Sequence, residues 1–384
     1  MLDRETSTPS APLRVFVAEY LCGGGMLDTP LDTVSKSLLR EGMAMWQALV
    51  TDLAGWASVR TPVDPRLPQL SGDISALAGQ LETVPMQPCA ELWGGWIEIA
   101  RECDVAIVII PETDGLLTKG ITLLRAAGIQ VLAPTGTAIG LTADKWATAK
   151  WLHQNNIAHP DTWSLERRRN GIAERHYTRS RPLAAGRLDP IFSDFPSSGY
   201  LVKPRDGCGA ARIRRYDELK PALASMKPDE ITQQYWPGRS ASVSVIASSE
   251  HARVSILPAV WQNLEMVPHT AARDSVSTSH LSYQGGSGPL STELQQRAHA
   301  LTSRVLQALP GRLAGFVGID LMLGENANCD AVIEINPRLT TSYIGLRKMT
   351  DENLTQRLWG NPDQATAINV PAESVHWNLH AVVT

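Results

Sequence analysis

The 384-residue sequence is sparing in several things at once. It has five cysteines, Cys22, Cys89, Cys103, Cys208 and Cys329, an odd number at wide intervals with no CxxC pair and no Cys/His cluster. That pattern argues against a disulfide framework and a structural zinc site, and it suits a reducing cytoplasm. Charged residues make up only 19% and the formal net charge is -4. No field of one sign is therefore available to draw in nucleic acid or an anionic membrane. No apolar run approaches the ~20 residues of a membrane span. The start, "MLDRETSTPSAP", lacks a signal-peptide apolar core, and residues 1–12 are expected to be a disordered tail. Paired histidine spacing is also missing: His153, His159, His269 and His280 stand apart. There is no internal repeat.

What is present is a chain that is 43% hydrophobic and long enough for two or three domains. From Leu13, "LRVFVAEYLCGGGM" reads as a buried strand running into glycines, and "LLREGMAMWQALVTDLAGW" has helical spacing. "CDVAIVII", the loop "PETDG", the helix "LLTKGITLLRAAG", the strand "IQVLAP" and the helix "TADKWATAKWLHQNN" continue the alternation. The loop "TGTAIGL" separates the last two. Alternating strands and helices imply an open parallel sheet, placed over residues 13–141. The triple glycine lacks GxGxxG spacing, which speaks against a dinucleotide cofactor.

Residues 142–199 hold a helix followed by an arginine-rich stretch, "LERRRNGIAERHYTRSRPLAAGR", read as a solvated insertion or as a patch that steers an acidic substrate. From Tyr200 a small α+β unit is expected over 200–247: "YLVKPRDGCGAARIRRY", the helix "DELKPALASM", and strands in "EITQQYWPG" and "SASVSVIAS". Residues 248–384 add "RVSILPAVWQNLEM", a loop "LSYQGGSGPL", the helix "STELQQRAHALTSRVLQALP" and two strands, "GFVGIDLML" and "DAVIEINPR".

Strand side chains alternate between faces, so Glu334, Asn336 and Arg338 share one face and Ile333 and Ile335 the other. A solvated edge strand is one reading. The other comes from "GFVGIDLML", whose single acid, Asp320, an antiparallel hairpin through "GENANC" would bring beside Glu334 and Asn336. Two carboxylates so close repel unless a cation intervenes, and their oxygens with the amide are hard ligands that suit Mg²⁺, or Mn²⁺ in its place. Upstream, "KPRDGCGA" offers Lys203 and the loop Gly207, Cys208 and Gly209, whose backbone could approach phosphate or could simply be a hairpin turn. Lys145 begins a helix that Thr142 or Asp144 would cap.

The succession Lys145, Lys203 with its glycine loop, "QQYWPG", Asp320, Glu334 and Asn336 resembles the ATP-grasp superfamily of carboxylate-amine ligases, over about Leu13 to Arg347. The resemblance implies a mixed α/β and α+β chain, an ATP-grasp fold with an N-terminal Rossmann-like pre-ATP-grasp domain, a small lobe over 200–247 and a large one over 248–384. It implies ATP and Mg²⁺, with Lys145 and Lys203 on the nucleotide, Gln233, Gln234, Tyr235 and Trp236 as the adenine hinge, and Asp320, Glu334 and Asn336 on the metal. Many relatives have acids where Gln233 and Ser240 stand, which bears on the ribose contact. Several place an arginine where this chain has Gly318, so Arg338 is expected on the transferred phosphoryl group or the substrate carboxylate.

More narrowly, "FVAEYLCGGGM", "AIVIIPETDGLL", "LTADKWATAKWL" and "GRSASVSVIASS" are similar to the tyramine-glutamate ligases of methanofuran biosynthesis. That resemblance implies an amide bond between the glutamate γ-carboxylate and tyramine or tyrosine, through an acyl phosphate. Candidate substrate contacts are Glu19, Gly23, Gly24, Gly25, Glu112, Asp114, Tyr283 and Arg338. Small molecules are the expected partners, with no nucleic acid or membrane, and a homo-oligomer is left open. Another amino-acid or polyglutamyl ligase and a silent ATP-binding module are the competing readings.

Overall fold

A computed structural model describes residues 12–67, 80–87, 91–165, 199–207, 212–248, 253–268, 279–360, 368, 370 and 374–378. Cys89, the arginine-rich stretch from 166 onward and the tail up to residue 11 lie outside them. The chain forms two compact units, one of residues 1–109 with 121–132, the other of 110–120 with 133–384.

The first unit is built on four parallel strands, β1 (Arg14–Glu19), β2 (Ser58–Val63), β3 (Leu81–Pro85) and β4 (Val105–Ile109), in the order β3-β2-β1-β4. β1 is central, and Val15, Phe16, Val17 and Ala18 are fully buried. Each large apolar side chain so enclosed contributes about 1.5–3 kcal/mol, which is why this strand reads as a continuous apolar run rather than an alternation. The helix Lys36–Ala54 starts where the Ser35 hydroxyl accepts from Leu38 N, and it buries Trp46, Leu49 and Leu53. Buried indoles find partners: Trp46 Nε1 donates to Thr61 Oγ1 at 2.8 Å, and Trp96 Nε1 to the Gly23 carbonyl at 2.9 Å. The expected strand "IQVLAP" is reduced to a single parallel bridge, Ala106 to Val131. Pro134 follows closely and has no N–H to carry a ladder on.

The second unit holds two sheets. One has β5 (Thr162–Ser164), β6 (Tyr200–Pro204), β7 (Arg214–Tyr216) and β8 (Glu230–Gln234) in the order β5-β8-β6-β7, over a small core of Trp163, Val202, Ala222 and Met226. The other comprises β9 (Arg239–Ala247), β10 (Val254–Ile256), β11 (Val260–Pro268), β12 (Ser279–Gly288), β13 (Gly315–Leu323), β14 (Ala331–Asn336) and β15 (Val375–Trp377). Its path is β14-β13-β9-β11-β12-β15, with β10 beside β9. The helices Lys145–Gln154 and Thr292–Ala308 supply Leu152, Ala298, Leu301 and Val305 to its core, against Val243, Val245, Val317, Ile319 and Ile335.

Three local expectations differ from what is observed. Residues 138–141, expected as loop, belong to a short helix, Ala138–Thr142, with Thr142 Oγ1 bonded back to the Ala138 carbonyl at 2.9 Å. "SASVSVIAS", expected in the small lobe, forms β9 and pairs along its whole length with β13, because seven of its nine residues are buried in the larger sheet. "LSYQGGSGPL", expected as a loop, lies largely in β12, which pairs with β11. Its glycines are there for clearance. A Cβ on Gly285 would stand 2.1 Å from the Trp377 carbonyl, and one on Gly286 would meet the Trp377 ring at 2.3 Å. Gly286→Ala should therefore cost about 1–3 kcal/mol through overpacking alone, seen as a lower urea midpoint for the full chain; an unchanged midpoint would contradict this account of the strand.

Candidate active site

The hairpin of β13 and β14 sets Asp320 opposite Glu334 and Gly318 opposite Asn336, with an irregularity after Asp320. Its turn is tied from outside. Asp330 accepts from Arg297 Nε at 2.9 Å and NH2 at 2.5 Å, and from Gly324 N at 3.0 Å, so the helix Thr292–Ala308 fixes the register. A one-residue slip would exchange the two faces. Asp320 Oδ2 accepts from Asn336 Nδ2 at 3.1 Å, and Asp320 Oδ1 from Gln262 Nε2 at 2.9 Å. Gln262 Oε1 in turn accepts from Ser240 Oγ at 2.7 Å.

Two lysines face this acidic pair. Asp144 caps the helix Lys145–Gln154 by accepting from Trp146 N and Ala147 N, and the same carboxylate binds the Arg205 guanidinium. Lys145 N donates to the Arg205 carbonyl at 2.8 Å, so helix start and glycine-loop base brace each other. Lys145 Nζ then reaches Glu334 Oε1 at 3.0 Å and the Gly207 carbonyl at 2.5 Å. Lys203, on β6, is buried; burial pulls its ammonium down to about 8, with Lys145 acting in the same direction and Glu334 and Asp320 opposing. Burial, then the charge on Glu334, pushes Asp320 up to about 6. Burial also favours a neutral Glu334, but Lys145, Lys203 and Arg338 outweigh it and hold Glu334 below its ordinary value. The arrangement is charge-paired on the Glu334 side and strained on the Asp320 side.

That asymmetry bears on whether a divalent cation fits. The donor set is two carboxylates and an amide, all hard oxygens, and Asp320 lacks a cationic hydrogen-bond partner of its own among the described residues. A small oxygen-seeking cation would relieve the repulsion that raises Asp320. Among the described residues no group of three or more His, Cys, Asp or Glu side chains offers a rival metal site.

The expected hinge is the end of β8 and the link to β9. Gln234 N donates to the Asp161 carbonyl and Tyr235 N to the Gly199 carbonyl, each at 2.8 Å, so these two amides already have partners. Gln233 is buried with Nε2 on Thr162 Oγ1, and Trp236 anchors its indole on the Cys329 carbonyl at 2.7 Å. Ser240, expected among the nucleotide contacts, donates its hydroxyl to Gln262 Oε1 at 2.7 Å. Gly207 sits at the Lys145 ammonium, while Cys208 and Gly209 lie outside the described residues.

Arg338 and Glu112, nominated separately as substrate contacts, meet each other. Arg338 Nε and NH2 bind Glu112 Oε1 and Oε2, both at 2.9 Å, and NH1 donates to the Leu339 carbonyl. The bidentate pair is largely buried and fixes the guanidinium plane. Asp114 has φ 53° and its N–H bonds Asp206 Oδ2 at 2.8 Å, next to the glycine loop. Tyr283 lies in β12 with its hydroxyl accepting from Trp377 Nε1 at 3.2 Å.

In the first unit, Glu19 is buried with Oε2 accepting from Cys22 N at 2.8 Å, and its carboxylate rests on the open face of Gly42. Gly23 N and Gly25 N donate to the carbonyls of Glu19 and Tyr20, and Gly24 takes φ 96°. The glycines thus make a tight internal turn, and the amides of Gly23 and Gly25 are engaged within it. Burial, then Glu19, raises the Cys22 thiol well above its ordinary value, as befits an inert packed side chain.

Sequence reasoning passed over Gln262, Asp144 as more than a cap, and Arg205. The signal for Gln262 was there: "VWQNLE" puts a lone amide on a strand face otherwise set by neighbours. Its partner lies 58 positions away, and no spacing rule reaches that far.

Comparisons with known proteins bear on the family and the fold. A family model described as "ATP-grasp domain" matches residues 142–342, and one described as "pre ATP-grasp 3 domain" matches residues 57–139. The tyramine–L-glutamate ligase of Methanocaldococcus fervens is 21% identical over 261 residues, covering 68% of this chain and 67% of that protein. The tyramine–L-glutamate ligase of Methanocaldococcus jannaschii is 21% identical over 262 residues, 68% of this chain and 64% of that protein. The chain thus spans about two thirds of the length of these relatives. Among solved structures, an ATP-grasp superfamily protein from Archaeoglobus fulgidus superposes with TM-score 0.59 at 22% identity, covering 90% of this chain and 87% of that one. An L-amino acid ligase from Bacillus licheniformis gives TM-score 0.54 at 12% identity, covering 91% and 73%. These structural likenesses bear on the fold.

Asp320 generates a prediction with a definite sign. Its folded-state value, about 6, lies above the ordinary 3.8, so the native chain holds the proton more tightly than the unfolded one. The associated stability is fully present below about pH 4 and is lost as pH rises through about 6. Between pH 6.5 and pH 4 the cation-free wild type should gain on the order of 2 kcal/mol relative to Asp320→Asn in urea unfolding. A difference that stays flat with pH would refute it.

Proposed function

This chain belongs to the ATP-grasp family, and from that premise we propose that it is an ATP-dependent carboxylate-amine ligase that forms an amide bond through an acyl phosphate. Members of the family bind ATP. The observation that carries the proposal is the group of Asp320, Glu334 and Asn336 on β13 and β14, faced by Lys145 and Lys203 from two other elements.

In this reading a carboxylate oxygen of the acid substrate attacks the γ-phosphorus, the bond to the β,γ-bridging oxygen breaks, and ADP leaves. The neutral amine nitrogen then attacks the acyl carbon, the C–O bond to phosphate breaks, and the nitrogen's surplus proton goes to solvent. Lys145 and Lys203 sit where cationic groups would meet phosphate oxygens, and burial strengthens their effect by excluding water. Lys203 loses part of its burial penalty when phosphates arrive. Lys145 would exchange Glu334 and the Gly207 carbonyl for the nucleotide. Asp320, Glu334 and the Asn336 carbonyl oxygen would hold Mg²⁺, or Mn²⁺, which neutralises phosphate charge. Arg338, held flat by Glu112, would face the phosphoryl or carboxylate oxygens. The backbone of the hinge segment Gln233–Trp236 would meet the adenine edge.

The names of the two relatives suggest glutamate as the acid and tyramine as the amine; tyrosine as the amine and a one-carbon-carrier coenzyme as the destination of the product come from the motif resemblance alone. ADP and phosphate should appear only when acid and amine are both supplied with ATP and Mg²⁺, with one amide product by mass, and EDTA should abolish turnover. Asp320→Ala should lower kcat/KM by roughly a hundredfold or more. ATP binding without turnover across a broad panel of acids and amines would leave a silent nucleotide-binding module. Turnover on a different pair would keep the ligase and replace its substrates.

A further inference from the structure

Resting on the reading of Asp320 as a cation ligand, we infer that Ser240 and Gln262 form an orienting relay for its carboxylate, with Gln262 as the positioning residue. Four adjacent strands each give one polar group. β11 runs against β9 with Val260 opposite Ser242 and Trp261 opposite Ala241, which carries Gln262 level with Ser240. β9 in turn sets Ser242 opposite Asp320 on β13 and Ser240 opposite Met322. Gln262 must therefore reach across β9 to touch Asp320. It can do so because the β9 residues on that face, Ser240 and Ser242, are small.

An amide can face a carboxylate in two ways, and only one is favourable. With its oxygen toward Asp320 it would repel; with its nitrogen there, it donates. Ser240 Oγ donates to Gln262 Oε1 at 2.7 Å, which occupies the oxygen and turns Nε2 onto Asp320 Oδ1 at 2.9 Å. The second carboxylate oxygen is fixed by Asn336 Nδ2 at 3.1 Å, and that bond points the Asn336 oxygen away from Asp320. The carboxylate is thereby held against rotation from both sides, with the Ser242 hydroxyl also against it from the facing position on β9. A third carboxylate beside Asp320 and Glu334 would add repulsion, whereas a hydroxyl and an amide add orientation without charge.

Partners of metal ligands typically change metal affinity by 10- to 100-fold when removed. The test is Mn²⁺ titration of the full chain with a non-hydrolysable ATP analogue, reading free Mn²⁺ by electron paramagnetic resonance, with thermal midpoints recorded alongside. Gln262→Leu should raise the Mn²⁺ dissociation constant about 10- to 100-fold. Ser240→Ala should raise it by a smaller factor, Ser240→Thr should restore wild-type affinity, and the double variant should match Gln262→Leu alone, since both act through one bond. Were Gln262→Leu not to fold, the Ser240→Ala and Ser240→Thr pair would carry the same test. Asp320→Asn is measured in parallel. If it leaves Mn²⁺ affinity unchanged, the metal reading of Asp320 falls. If it weakens binding while Gln262→Leu stays within twofold of wild type, or if the Ser240 and Gln262 effects multiply independently, the relay is overturned and the metal site stands.

Discussion

The constraint on which the site depends is that Asp320 and Glu334 face each other across one rung of the β13–β14 ladder. Like charges at that separation in a partly dry environment repel strongly. The surrounding residues answer that repulsion in two different ways. Glu334 is met by Lys145 directly and by the charges of Lys203 and Arg338, so it stays ionised. Asp320 is hydrogen-bonded by uncharged groups, the amides of Gln262 and Asn336 and the Ser242 hydroxyl, and burial pushes it toward neutrality. A site complete in itself would have paired both acids. This one is balanced on one side and, among the described residues, has no cationic hydrogen-bond partner on the other, the imbalance that the proposed cation would relieve.

The same economy explains the supporting network. Asp330 is buried but tied by Arg297 and Gly324, so the hairpin cannot slip. Glu112 is buried but bound through both oxygens to Arg338. Asp144 is at once a helix cap and the partner of Arg205. Each of these acids has its cation. Breaking one partner of such a pair leaves an uncompensated charge and costs far more than the pair itself contributes. They differ in this from Asp320, whose hydrogen bonds come from uncharged groups.

Much of this was legible in the sequence, and the reasons are local. "DAVIEINPR" and "GFVGIDLML" each carry a period-two alternation, and a short polar turn joins them, so pairing of Asp320 with Glu334 followed from register alone. The central run "RVFVAE" announced a buried parallel strand. What escaped is what depends on distant neighbours. The glycines of "QGGSG" read as loop because nothing in the sequence says that Trp377, about 90 residues on, packs against them. β9 looked like part of the small unit by proximity, while its hydrogen-bond ladder runs to β13 in the larger sheet. Arg338 and Glu112 were each legible as unusual, but their meeting, 226 positions apart, was not.

Those two kinds of legibility have a physical source. A hairpin encodes its contacts within the span of one turn, so spacing suffices. A bond such as Gln262 to Asp320 exists only once β9 has been inserted between β11 and β13, which no local pattern specifies. The strand order therefore does chemical work in addition to burying a core. It places an amide from one strand over the serines of a second, onto a carboxylate of a third, beside an amide of a fourth. The chemistry of Asp320 is set by residues that only the assembled sheet brings together, which is why charge at this site has to be read from topology and not from the acids alone.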